Sequence, residues 1–306
     1  MPRDESQKGL IAAIAAFTIW GLFPVYFVWT ASVPATEMVA HRILWSLPFG
    51  LVVLFVLRQG RALVEALRDP RTLGLLALAA VLLAANWGFY IYAIQIEQIF
   101  QGSLGYYINP LFNVLAGLLF FRERLSRLQS VAIGLAAVGV GILTVYGGQF
   151  PWLSLILATT FCGYGVLRKL VVVPAMAGLM VEVLVLLVPA AAFMAWLTGQ
   201  GELAFGRDPA LTWLLVAAGP VTIVPLLFFT FAARRIRLST LGVLQFIGPT
   251  LQFVCGLYYG EAFTPAHAWC FGFIWLGVAL FALDGWVQST RPMKSPMEKA
   301  TNTISS

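Results

Sequence analysis

Pro110-Leu-Phe-Asn-Val-Leu-Ala-Gly117-Leu-Leu-Phe-Phe-Arg-Glu123-Arg-Leu-Ser126 closes one apolar run of the chain. Pro249-Thr-Leu-Gln-Phe-Val-Cys-Gly256-Leu-Tyr-Tyr-Gly-Glu261-Ala-Phe-Thr264 closes another in the second half. Proline and glycine are seven apart in both, and both continue to Glu, one residue, an apolar residue and a hydroxyl residue. Upstream, Ser103-Leu104-Gly105 answers Thr240-Leu241-Gly242. Self-similarity at this separation predicts an internal repeat.

Around these segments the 306 residues are 60% hydrophobic and only 10% charged, and the mean hydropathy is +0.88. A soluble domain carries about 25% charged residues. That excludes a soluble enzyme, a disordered tail and a secreted disulfide scaffold, and leaves a polytopic helical membrane protein. A helix crosses the hydrocarbon core in about 20 residues. Ten apolar runs of that order lie near 9–29, 34–57, 72–94, 100–121, 128–147, 151–168, 173–197, 210–232, 239–259 and 265–287. The first run is too long for a signal-peptide core and reads as a retained span. The longest connections between runs are Arg58–Arg71 and Thr198–Pro209.

The net charge of +6 raises the question of nucleic acid, and the placement of the cations answers it. With the N-terminus inside, 17 of the 19 Lys and Arg residues fall in inward-facing segments. Arg207 lies outside and Arg42 lies within a span. Positive-inside alternation at every loop supports ten spans with both termini cytoplasmic. The repeat unit is then five spans, an odd number, so the second copy sits upside down: Glu123 is inside and Glu261 outside. The expected fold is all-α and integral to the membrane, an inverted five-plus-five repeat. Its halves are 1–148 and 149–290, followed by a polar cytoplasmic tail at 291–306. Inverted repeats are characteristic of secondary transporters, whose substrate site lies near midplane between the halves.

Further strings carry a resemblance. They are Trp20-Gly-Leu-Phe-Pro-Val-Tyr26, Glu37-Met-Val-Ala-His-Arg-Ile-Leu-Trp-Ser46, Asn86-Trp-Gly-Phe-Tyr90, Ser103-Leu-Gly-Tyr-Tyr-Ile-Asn-Pro110 and Leu238-Ser-Thr-Leu-Gly-Val-Leu-Gln245. Together with the repeat they resemble the EamA-type drug/metabolite transporter superfamily, and within it the RarD subfamily. The resemblance covers nearly the whole chain up to Arg291. It implies a ten-helix bacterial inner-membrane carrier with a central cavity lined by the first four helices of each half. It also implies the customary label of a chloramphenicol-sensitivity or chloramphenicol permease protein. Small multidrug relatives place a coupling glutamate in their first helix; no carboxylate lies between Gly9 and Trp29 here.

The second span holds Glu37, His41 and Arg42. A charged residue at a helix centre costs about 2.5–3.5 kcal/mol on insertion scales, so these groups must be shared with neighbours or water. Glu37 and His41, four apart, face the same way. One reading makes them a proton site and Arg42 the binder of an anionic group; the other makes Arg42 part of a structural ion pair. Glu182, the seventh span's lone charge, is a candidate partner for Arg42 or a second coupling group. Asn86, Trp87 and Tyr90 in the third span, Tyr106, Tyr107, Asn109 and Asn113 in the fourth, and Gln245 and Gln252 in the ninth suit a cavity that hydrogen-bonds and stacks on an organic solute. Interhelical hydrogen bonds, worth about 0.6 kcal/mol each, are the alternative use. Gly105 and Asn109-Pro110 predict a bent or unwound helix. His267, Asp284, Glu97 and Glu261 lie near span ends and read as interfacial.

Cys162, Cys255 and Cys270 show no metal-like spacing and read as small apolar side chains. No GxxxxGK[ST], HExxH or GxSxG string occurs, so no P-loop, metal or cofactor is expected. Expected partners are a small organic solute, possible coupling protons and the lipid bilayer, but not nucleic acid. Gly134, Ala137, Gly139 and Gly141 form a small-residue face for packing within the chain or against a second copy, so monomer and homodimer both stay open. The leading expectation is a secondary carrier working by alternating access, with proton coupling and drug or metabolite efflux as finer options. The alternatives are a membrane-embedded enzyme with Glu37 and His41 as acid and base, or a non-transporting sensor.

Overall fold

The computed structural model describes residues 3–121, 126–236 and 238–290. Glu123, Arg122, Arg124 and the 291–306 tail lie outside the described residues. All described secondary structure is helical. The elements are α1 (Arg3–Gly21), α2 (Phe23–Trp29), α3 (Ala35–Val56), α4 (Gly60–Arg68), α5 (Pro70–Gln95), α6 (Ile99–Phe121) and α7 (Arg127–Val145). They continue with α8 (Trp152–Leu170), α9 (Ala175–Gln200), α10 (Pro209–Ala233), α11 (Leu238–Leu244), α12 (Ile247–Tyr258) and α13 (Pro265–Thr290).

Local chemistry sets the helix starts. Asp69 accepts from the Thr72 N–H at 3.1 Å, and Pro70 opens α5 where its missing N–H costs nothing. These bonds, led by the Thr72 hydroxyl, hold the Asp69 carboxyl below its usual pKa. Asp208 does the same for α10 through the Leu211 N–H at 2.7 Å, with Pro209 following. Ser126 and Gln129 close a reciprocal capping box on α7.

Among the described residues, eight helical segments are long and apolar enough to cross a membrane, with α1 and α2 counted together. The two remaining runs expected as spans are α6, whose first half is rich in Gln, Ser, Tyr and Asn, and the broken pair α11 and α12. The Arg58–Arg71 connection, expected as a loop, contains the short helix α4. It buries Leu63 and Ala66 against the bundle and keeps Arg61 exposed.

The first span is interrupted at Leu22. Pro24 cannot donate to the Trp20 carbonyl, so α1 ends and α2 begins. Gln252 Nε2 of α12 donates to that freed carbonyl at 3.2 Å. The anticipated disturbance of α6 at Asn109-Pro110 does not interrupt the helix, which continues to Phe121 with Pro110 inside it.

The helix pairs follow a regular scheme. α1 packs on α10 and α12, α8 on α5 and α6, α3 on α9 and α10, α5 on α9, α6 on α12, and α7 on α13. Exchange each long run of the first half with its counterpart five places on. The pair α1–α10 becomes α8–α5, α1–α12 becomes α8–α6, and α3–α10 becomes α9–α5. The pairs α3–α9, α6–α12 and α7–α13 map onto themselves. Gly139 serves the last pair: a Cβ there would lie 2.9 Å from the Cys270 carbonyl oxygen of α13. Gly134 and Gly141 face open space instead.

Candidate functional site

The site is centred on α3, and a glycine on α10 brings its neighbour close. Gly219 lies against the Trp45 carbonyl, and a Cβ there would also sit 2.7 Å from Phe49. This approach brings Thr222, one turn on, to Arg42. Arg42 Nε donates to Thr222 Oγ1 at 3.1 Å, and Thr222 donates to the Ala218 carbonyl at 2.8 Å. Arg42 is only 3% exposed. Its guanidinium carbon lies 4.0 Å from the Trp87 ring centroid and 5.6 Å from those of Phe23 and Phe27. The break at Leu22 is what turns α2 so that Phe23 and Phe27 reach it. Among the described residues no carboxylate pairs with Arg42.

Glu182, expected as that partner, is engaged elsewhere. Its Oε1 lies 3.4 Å from Arg168 Nη1, and Tyr164 donates to its Oε2 at 3.4 Å. Arg168 is at the end of α8 and folds back over Gly178 of α9 across the short 171–174 turn. That neighbour takes the carboxylate before α3 can.

Glu37 and His41 do come together, with His41 Nε2 3.6 Å from Glu37 Oε1. That distance is too long for a hydrogen bond. Glu37 Oε1 instead accepts the Ala204 N–H at 2.9 Å. Ala204 and Phe205 belong to the Thr198–Pro209 connection. The Phe205 ring lies 5.4 Å from the His41 ring and 5.9 Å from that of Trp45. The connection thus folds over the first turns of α3 and is held there by a buried carboxylate.

The amides divide between the two expected uses. Asn86 is a packing residue: its Nδ2 donates to the Leu157 carbonyl and to Thr160 Oγ1, both at 2.9 Å, and its Oδ1 accepts from Tyr106 at 3.2 Å. Tyr107 pairs with Thr250 at 2.7 Å, tying α6 to α12. Asn113 is exposed and Gln245 half-buried. Asn109 Oδ1, Gln252 Oε1, Tyr90 OH, Ser46 Oγ and both ring nitrogens of His41 are buried without a hydrogen-bond partner. Leaving a buried polar atom unpaired costs about 1–3 kcal/mol, so a set of them inside a helical bundle calls for water or a solute.

Several participants escaped the sequence reading. Thr222 is a lone hydroxyl between Pro220 and Pro225, and those prolines were the only signal near it. Phe205 sits in a connection with no periodicity. Glu261, read as interfacial, reaches across to α6, where its Oε2 accepts the Phe100 N–H at 2.8 Å. Burial pushes its carboxyl up to about 7, against the pull of the Phe100 and Ile99 N–H groups, and Glu97 adds to the rise. Of the other residues near span ends, His267 and Asp284 are buried within the protein, whereas Glu97 is exposed. All three cysteines are free and buried. No cluster of His, Cys, Asp and Glu suited to a metal occurs among the described residues.

Comparison with known proteins gives these residues a setting. The model of the EamA-like transporter family matches residues 7–145. An uncharacterized transporter of Vibrio cholerae is 45% identical over 289 residues, spanning 92% of this chain and 94% of its own. Protein RarD of Salmonella typhi is 42% identical, spanning 93% and 97%. The chloramphenicol-sensitive protein RarD of Pseudomonas aeruginosa is 32% identical, spanning 91% and 95%. A solved crystal structure shares the fold, with a TM-score of 0.60 and 20% identity over 94% of this chain and 98% of that one.

Proposed function

We propose, from the premise that this chain belongs to the EamA-like transporter family and is related to the RarD proteins, how this multi-pass bacterial inner-membrane transporter works. It is a secondary carrier for small organic solutes, and the solute sits between α3, α5, α6 and α12. The observation that carries this reading is the set of buried, unpartnered polar atoms on those helices: His41, Ser46, Tyr90, Asn109 and Gln252. A bundle built only for packing would pair or replace such atoms; a carrier keeps them for water and solute.

The carrier has ten spans in two inverted halves, with both termini cytoplasmic. The exchange symmetry of the helix pairs supports this, as does the positive-inside distribution of Lys and Arg. In that orientation the Thr198–Pro209 connection is external. Its contacts with Glu37, His41 and Trp45 then form the outer closure, and opening requires Glu37 to release the Ala204 N–H. A proton arriving at Glu37 is suited to that release, because a neutral carboxyl accepts a weaker hydrogen bond. Proton binding and outer opening are thereby one event.

The test is solute-dependent proton flux. Purified protein is reconstituted in vesicles loaded with a pH dye, and amino acids, organic acids, nucleobases and chloramphenicol are added singly. The expected result is flux with one solute class. Glu37→Gln is expected to abolish gradient-driven accumulation of that solute while preserving its exchange. Accumulation that survives Glu37→Gln removes the coupling role. Absence of both flux and exchange across the panel counts against a carrier for these solutes.

A further inference from the structure

Arg42 is a buried charge, 3% exposed, and among the described residues no carboxylate pairs with it. The two buried carboxylates nearest in the sequence reading are both committed. Glu37 holds the Ala204 N–H at 2.9 Å, and Glu182 faces Arg168 at 3.4 Å. Arg42 has one hydrogen bond, from Nε to the neutral Thr222. Its remaining donors sit on the two terminal nitrogens, which form a planar fork. Trp87 covers the face of the guanidinium at 4.0 Å, and Phe23 and Phe27 stand at 5.6 Å. The N–H bonds of the fork lie in the guanidinium plane, so a ligand that accepts them meets the group along its edge. The Tyr90 hydroxyl is also buried and unpartnered.

An in-plane fork matches a carboxylate, which takes two parallel N–H bonds from it. A neutral solute would leave the buried charge uncompensated, and a cation would be repelled. The aromatic surround favours an apolar body behind the anionic group and offers few donors to a polyanion. We infer that the solute of this carrier is a small organic monocarboxylate. Its carboxylate docks in plane on the terminal nitrogens of Arg42. The inference deepens the carrier reading and rests on it. It also makes binding the step that neutralises the site, so the loaded carrier is electrostatically easier to reorient than the empty one.

The test is direct binding to the full chain in detergent. The probes are phenylacetate, its neutral counterpart phenylacetamide, its cationic counterpart phenethylamine, a short aliphatic monocarboxylate series, and inorganic phosphate. Thermal shift and intrinsic tryptophan fluorescence are both read, since Trp87 covers the guanidinium. Monocarboxylates are expected to raise the melting temperature and change the fluorescence, and the other probes are not. Arg42→Lys keeps the charge and loses the fork, and is expected to weaken carboxylate binding at least about tenfold. Arg42→Gln is expected to abolish it; if that variant does not fold, Arg42→Lys carries the test alone. The inference is overturned if phenylacetamide or phosphate binds as well as phenylacetate. It is equally overturned if Arg42→Lys binds carboxylates like the wild type, or if no monocarboxylate shifts the protein. In each of those cases continued flux of a neutral solute in vesicles would leave the carrier reading standing.

Discussion

Residue by residue, each of the three ionisable groups of α3 has a different neighbour. Glu37 meets a backbone N–H, His41 meets an aromatic ring, and Arg42 meets a hydroxyl and an indole. Much of this was legible in the string Glu37-Met-Val-Ala-His-Arg42. Charged residues are expensive in a membrane helix, so they mark where something besides lipid must be present. Their partners were not legible. Glu182, the seventh span's lone charge, reads as a match for Arg42, yet Arg168 reaches it across one short turn. Which of two cations takes a carboxylate depends on turn geometry, which hydropathy does not encode. Asn86 shows the same limit: it reads as a cavity amide, but all its bonds tie α5 to α8 and α6.

Single elements show how backbone breaks create contacts. Pro24 ends α1 and frees the Trp20 carbonyl, and Gln252 of α12 takes it, so the break couples the two halves. The close approach of α10 to α3 depends on Gly219. A Gly219→Val side chain would press on the Trp45 carbonyl and on Phe49, and overpacking of this kind costs about 1–3 kcal/mol. The expected result is a lower melting temperature in detergent, together with loss of the Thr222–Arg42 contact and weaker solute binding. A variant as stable as the wild type would show that the two helices can separate freely there. At the other end, Glu261 caps α6 from outside the spans. Its folded pKa of about 7 stands above the ordinary 4.5. The folded state therefore binds the proton more tightly, and stability is greatest below pH 4.5 and declines as pH rises through about 7. Glu261→Gln removes this slope. Melting curves across that range are expected to show the wild type losing stability relative to the variant as pH rises; parallel curves would contradict it. The apolar runs themselves were readable because twenty-residue stretches leave few alternatives. The helix α4 was not, since nine residues among arginines resemble a loop. The polar first half of α6 similarly weakens its signature as a span.

For the whole molecule, the exchange symmetry of the helix pairs is what makes a two-sided mechanism credible. The principal packing contacts between the halves have counterparts under that exchange, α1–α10 with α8–α5, α1–α12 with α8–α6 and α3–α10 with α9–α5. The proposed repeat rests on the two proline-to-glutamate segments of the sequence, and its proposed inversion on an odd number of spans. The closed connection over His41 was not visible, because Phe205 lies in a stretch without periodicity. Under the proposed mechanism, solute reaches the α3 site from both sides in turn. Ser46, one turn beyond Arg42, is fully buried and its hydroxyl has no partner, which makes it the position to probe. Cys162, Cys255 and Cys270 are replaced by alanine and Ser46→Cys is introduced. A membrane-impermeant thiol reagent is then applied from either face of sealed vesicles. Two-sided access predicts labelling of the introduced thiol from each face, slowed by transported solute. Labelling from neither face, or from one face alone whatever the solute and pH, would contradict it.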